Sequence, residues 1–186
     1  MREEAVMFKA GGIRLEGRVA PGTGRGGVVV SHPHPQMGGS MDNNVVEAVC
    51  EGFRCLGFTT LRFNFRGTGR SGGRYDGGRG EQDDLRAAID FLSGITSVPL
   101  VLGGYSLGAA ATDMVLAVPI PILGFKNTLP AGADSHIAAV ALFGNGTQWL
   151  GPITNFNPAF TDRTIELCHG ADPICNPADP DTWEKN

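Results

Sequence analysis

Residues 101–114 read LVLGGYSLGAAATD. A short apolar run meets Gly104-Tyr105-Ser106-Leu107-Gly108, and helix-forming residues follow at once. A strand that passes into a helix over a single residue bends sharply. A side chain two positions to either side of the bend would meet the neighbouring strand or the helix backbone, which is why glycine is needed at 104 and 108. The bend lifts the Ser106 hydroxyl out of the sheet. It also sets the Leu107 N–H at a helix N-terminus, where it can face a developing negative charge. A Gly/Ser turn without chemistry has the same letters. The strand–turn–helix context is what points to a nucleophile.

The rest of the chain agrees with that context. GGVVVSHP (26–33) has the length and branching of a buried strand, and DNNVVEAVCEGFRCLGF (42–58) reads as a helix. In that helix Val45, Val49 and Phe53 share a stripe, Asp42 is placed to cap the start and Gly57 to end it. TTLRFNF (59–65) is the next strand. EQDDLRAAIDFLSG (81–94) is a helix with Leu85, Ala88, Ile89 and Leu92 on one face. Glu81, Asp83 and Asp84 complement its N-terminal dipole, and Gly94 stops it. A strand over 98–106, a helix over 107–118 and strands over 136–144 and 163–168 complete the series. Such alternation predicts an α/β fold with a mostly parallel sheet flanked by helices. Chemistry in such sheets collects at the carboxyl ends of the strands, where His32, His34, Ser106 and Asp172 fall.

A chain of 186 residues suits a single domain, 1–186. The Pro/Gly-rich stretch PIPILGFKNTLPAGADS (119–135) marks a junction near 115–135, and in residues 115–186 only Lys126, Arg163 and Lys185 are basic. A net charge of −4 gives no footprint for nucleic acid, and no apolar run reaches the ~20 residues of a membrane span. The first residues, MREEAVMFKAGG, lack a signal-peptide layout, which favours a cytoplasmic location. Cys50 and Cys55 fall on different faces of one predicted helix and read as reduced core residues. Cys168 and Cys175 enclose a loop that an oxidising compartment could bridge.

Three motifs, SHPHP…GGSMDN, RFNFRGTGRSGG and GGYSLGAA, make residues 26–114 resemble a bacterial group of the α/β-hydrolase fold. The resemblance implies a serine hydrolase acting on carboxylic esters, with no cofactor and no metal. Ser106 would be the nucleophile. The oxyanion donors would be Leu107 N–H and His34 N–H, the latter on the loop after the 26–33 strand. The N–H of Gln36 or Met37 is the alternative second donor; Pro35 has none to give.

Residues 138–175 resemble cutinases, on AAVALFGN and TIELCHGADPIC. The likeness implies that Asp172 is the acid of a catalytic triad and that Cys168 and Cys175 are bridged around it. A secreted location follows from the same likeness. Cutinases usually carry glutamine after the nucleophile; this chain has Leu107.

Triads on this fold run Ser, acid, His. PICNPADPDTWEKN, which follows Asp172, contains no histidine, and Lys185 stands where a cutinase would place it. The expectation is a fold lacking its last strand and closing helix. Its activity would then be impaired, and as the alternative function it would at most bind acyl ligands. The substitutes for the base are His32 and His34; His169 lies three residues before Asp172, and His136, ahead of a strand, reads as a surface residue. Two other patterns fail on context. GTGRSG (67–72) is followed by more loop instead of a helix, so Arg66 and Arg70 read as structural. His32-x-His34 has no further ligands to complete a metal shell.

Overall fold

Val28, Val29 and Val30 are apolar in succession and fully buried, as a strand covered on both faces requires. In the computed structural model, which describes residues 3–96, 99–117, 129, 133–145, 157–168 and 175, they form β3, Gly27–Ser31. The strands in chain order are β1 (Glu4–Ala10), β2 (Ile13–Ala20), β3, β4 (Thr59–Phe63), β5 (Leu100–Tyr105), β6 (Ile137–Phe143) and β7 (Thr164–Leu167). The helices are α1 (Asn44–Cys55), α2 (Arg79–Ser93) and α3 (Leu107–Ala117). The sheet order among the described residues is β1-β2-β4-β3-β5-β6-β7. β4, β3, β5, β6 and β7 run parallel, while β2 pairs antiparallel with both β1 and β4.

The two faces of β3 belong to separate cores. Val28 and Val30 join Val101, Val46 and Cys50 under α1. Val29 joins Leu61, Leu102 and Leu142 beneath Leu85, Ala88, Ile89 and Leu92 of α2 and Ala109 and Val115 of α3. The predicted stripe of α2 is thus the buried one. On α1 the stripe is centred one residue later than expected, on Val46 and Cys50, with Val49 and Phe53 partly buried beside them.

Several local expectations change. Asn43, not Asp42, caps α1, its side chain accepting the Val45 N–H at 2.9 Å; Asp42 instead meets Arg62. Gly57 ends the helix as expected, at φ +89°. α2 begins at Arg79, earlier than 81, because the Glu81 carboxylate accepts the N–H groups of Gly78 and Asp76 and so extends the first turn. Cys50 is buried, and burial pushes its thiol up to about 12. Cys55, expected in the core, is exposed because it lies on the opposite face of α1.

The β1–β2 hairpin was not anticipated. Its signal is present in the sequence: Val6, Phe8 and Ala10 alternate, Gly11-Gly12 makes the turn, and Ile13, Leu15 and Val19 alternate back. The proposed junction and the chain after Leu167 lie mostly outside the described residues, and the expected closing elements with them.

Candidate active site

Ser106 sits between β5 and α3 and is the only non-glycine residue at positive φ among the described residues, at +55°. The geometry gives both glycines a reason. A Cβ on Gly104 would lie 2.5 Å from Gly108 O and 2.6 Å from Ala109 Cα; one on Gly108 would lie 2.4 Å from Ser31 O and 2.8 Å from His32 O. Those contacts are with backbone, which cannot swing aside. They also show that the end of β3 is pressed against the start of α3, so the loop after β3 begins beside Ser106. Ser106 N–H donates to Phe143 O at 2.9 Å, tying the turn to the end of β6. The residue is 8% exposed, and no hydrogen bond among the described residues engages its Oγ. Leu107 opens α3, so its N–H has no acceptor within the helix.

The loop from residue 32 to 43 is held at both ends. His32 is fully buried, with Nδ1 2.6 Å from Pro33 O and Nε2 accepting the Phe65 N–H at 3.0 Å. Nδ1 therefore carries the proton. Burial pulls the ring down to about 4, against the carbonyl of Pro33, which pulls it up. Both nitrogens are spoken for, so His32 is neither the substitute base nor half of a metal site. At the other end Met41 is gripped through its backbone: its N–H donates to Asn64 Oδ1 at 2.8 Å and its carbonyl accepts from Arg62 Nη1 at 2.8 Å. Arg62 also pairs with Glu3, Asp42 and Glu47.

Between these anchors His34 precedes a single 3-10 turn, Pro35–Met37. Its Nδ1 accepts the Gln36 N–H at 3.2 Å, its carbonyl accepts from Met37 and Gly39, and its ring packs 4.7 Å from Tyr75. No hydrogen bond among the described residues uses the His34 N–H.

The RFNFRGTGRSGG segment proves to be scaffolding. Asn64 Nδ2 and Arg70 N–H both donate to Glu16 Oε2, at 3.1 and 2.8 Å, and Ser71 Oγ donates to Asn64 O at 2.7 Å. Arg66 meets Asp84 through its backbone N–H, Nε and Nη2. Arg62 and Asn64 as loop anchors were missed in the sequence. Their signal was two polar residues, one in β4 and one just after it, alternating with the buried Leu61, Phe63 and Phe65.

His136 precedes β6, whose parallel register pairs Ile137 with Leu100 and Phe143 with Tyr105. It therefore stands at the amino end of the sheet, about 20 Å from Ser106 at ~3.3 Å per residue. Asp172 and His169 lie outside the described residues. Cys168 and Cys175 are joined by a disulfide. A cavity of about 770 Å³ between the β1–β2 turn and α2 contains none of the site residues.

A family model described as cutinase matches residues 73–183. The chain belongs to the cutinase family. It is similar to "Probable carboxylesterase Culp2" of Mycobacterium tuberculosis, with 75% identity over 105 residues, 56% of this chain and 46% of that protein. It is also similar to "Phospholipase Culp4" of the same species, with 44% identity over 109 residues, 58% of this chain and 46% of that one. This cutinase-family chain thus spans about half the length of those relatives. Among solved structures, XC6422 of Xanthomonas campestris, an α/β serine hydrolase without a lid, superposes with a TM-score of 0.68 and 27% identity, covering 98% of this chain and 76% of that one. ATU1826 of Agrobacterium tumefaciens, a putative α/β hydrolase, gives 0.70 and 30%, covering 97% and 76%. Both resemblances read from the sequence are therefore present in one sheet.

Proposed function

We propose that this chain hydrolyses carboxylic esters through an acyl-enzyme on Ser106. The observation that carries the reading is the left-handed Ser106 at the strand-to-helix turn, its Oγ unengaged among the described residues, beside a helix N-terminus and a separately anchored loop. Ser106 Oγ attacks the acyl carbon and the alcohol leaves. Leu107 N–H and His34 N–H receive the oxyanion, and water then releases the acid. Asp172, on the loop bridged by Cys168 and Cys175, orients the base. The cutinase match, the carboxylesterase and phospholipase names of the Culp relatives and the serine-hydrolase neighbours support this class of reaction.

The base is the open position in the scheme. His32 is committed on both nitrogens and His136 is at the wrong end of the sheet, which leaves His34 and His169 among the four histidines. The competing reading is an impaired hydrolase fold that binds acyl ligands. A chromogenic short-chain ester and a fluorophosphonate probe separate the two. Turnover that disappears in Ser106→Ala, by about 10³-fold or more, supports the esterase. Stoichiometric labelling of Ser106 without turnover supports the impaired fold. Turnover that survives Ser106→Ala removes the nucleophile assignment. Substituting His34 and His169 by Ala in turn then identifies the proton acceptor.

A further inference from the structure

We propose that Ser31 is a positioning residue for Ser106, acting with Thr112 as a buried pair of hydroxyls that holds the nucleophile turn in its left-handed conformation. The proposal rests on the esterase reading for its functional meaning, though not for its geometry.

A left-handed backbone is unfavourable for any residue with a Cβ, and it persists only where the surroundings over-determine it. Ser106 is directly fixed at two backbone points: its N–H donates to Phe143 O at 2.9 Å, and its carbonyl accepts from Ala110 N–H at 3.0 Å. Neither bond ties the strand side of the turn to the helix side.

Ser31 does. Its Oγ lies 3.1 Å from Gly103 O, the last carbonyl before the Gly104–Gly108 motif, and 3.0 Å from Gly108 O, the carbonyl that ends it. Thr112 Oγ1 lies 2.8 Å from Gly108 O and 3.3 Å from Ser31 Oγ, within reach of both. Each hydroxyl has one proton: with Thr112 donating to Ser31 Oγ, the Ser31 proton is free for Gly103 O, and this relay joins α3 to the end of β5. One side chain on β3 thus touches both ends of the bend that carries the nucleophile.

The setting leaves these hydroxyls no other choice. Ser31 and Thr112 are both fully buried, so water does not compete for their protons. Ser31 also breaks a strand that is otherwise Val28-Val29-Val30. A polar residue at a fully buried strand position calls for partners, and its partners here are the two carbonyls that frame Ser106.

Amide hydrogen exchange on the full chain tests the clamp, comparing wild type, Ser31→Ala, Thr112→Val, Thr112→Ser and Leu85→Ala. Leu85 lies in the α2 core and serves as a destabilised control. The expected result is exchange at the Ser106 and Ala110 amides at least about 10-fold faster in Ser31→Ala and Thr112→Val, beyond any global change. Thr112→Ser should restore protection, and Leu85→Ala should show no such selectivity. Uniform acceleration across the sheet, or unchanged exchange at those two amides, would overturn the proposal. Kinetics give the functional reading: Ser31→Ala should label with fluorophosphonate about 10-fold more slowly and lose kcat with KM unchanged. A wild type that neither labels nor turns over removes the esterase reading, while the exchange comparison still decides the clamp.

Discussion

On the β3 side of Ser106, the loop from 32 to 43 is held by buried polar side chains: His32 at one end, Arg62 and Asn64 at the other. On the β6 side the supports are of another kind. β7 has only four residues, and Ile165 and Leu167 are 59% and 53% exposed. That strand is led in by Arg163, whose guanidinium donates to the carbonyls of Ala159, Asp134 and Ile137 and lies over the Phe160 ring. It is followed by the Cys168–Cys175 bridge. The difference shows two ways to support the chain on either side of one turn. Where two cores close over a strand, buried side chains suffice, the charged Arg62 among them, because water competes little. At the exposed β7 a polydentate arginine, Arg163, serves again, and a covalent link is added.

The contrast is broken most directly by the same truncation on both sides. Leu102→Ala in β5, from a fully buried position, should cost about 2–5 kcal/mol in a denaturant titration. Leu167→Ala in β7 should stay within about 0.5 kcal/mol. Equal losses would mean that β7 is as deeply covered as β5, and the comparison would fall. Adding one methyl beside the bend tests the packed side again. Gly108→Ala forces its Cβ onto Ser31 O and His32 O, and should cost about 3 kcal/mol with loss of fluorophosphonate labelling.

The pH dependence sharpens the contrast further, because His32 belongs only to the β3 side. Its imidazole is held near 4 when folded against 6.5 when free. Between those values the unfolded chain binds the proton and the folded chain does not. The contribution is therefore complete above pH 6.5 and is lost as pH falls toward 4. It amounts to about 3 kcal/mol across the window. Denaturant midpoints of wild type and His32→Gln at intervals from pH 4 to 7.5 should converge toward the acid end; parallel profiles would refute the assignment. Smaller again, reducing Cys168–Cys175 should lower stability by about 2 kcal/mol. The reduced protein should label at Ser106 more slowly, since the bridged loop carries Asp172 of the proposed triad.

Much of the site was readable before the fold. Glycine at 104 and 108 around a serine, after an apolar run and before a helix, has few other solutions, and the collisions at those positions are with backbone. The α2 stripe and the decoy status of GTGRSG were equally legible. Local patterns did not reveal that His32 is used up. Its partners are Pro33 O, one residue away, and Phe65 N–H, 33 residues away, and the second is set by strand pairing. Arg62 and Asn64 were passed over for the same reason, since both reach across to Met41 from the neighbouring strand.

The sequence by itself determined the alternation of strands and helices, the bend at Ser106 and the identity of the residue that bend presents. Those depend on backbone sterics and periodicity, which act between near neighbours. Tertiary structure alone decided which polar residues are free to react and which are consumed in holding the frame. That division depends on burial and on partners brought together from distant parts of the chain. Ser31, His32 and Ser106 are all buried polar residues at the carboxyl ends of adjacent strands, and of these only Ser106 has its side chain left unengaged among the described residues.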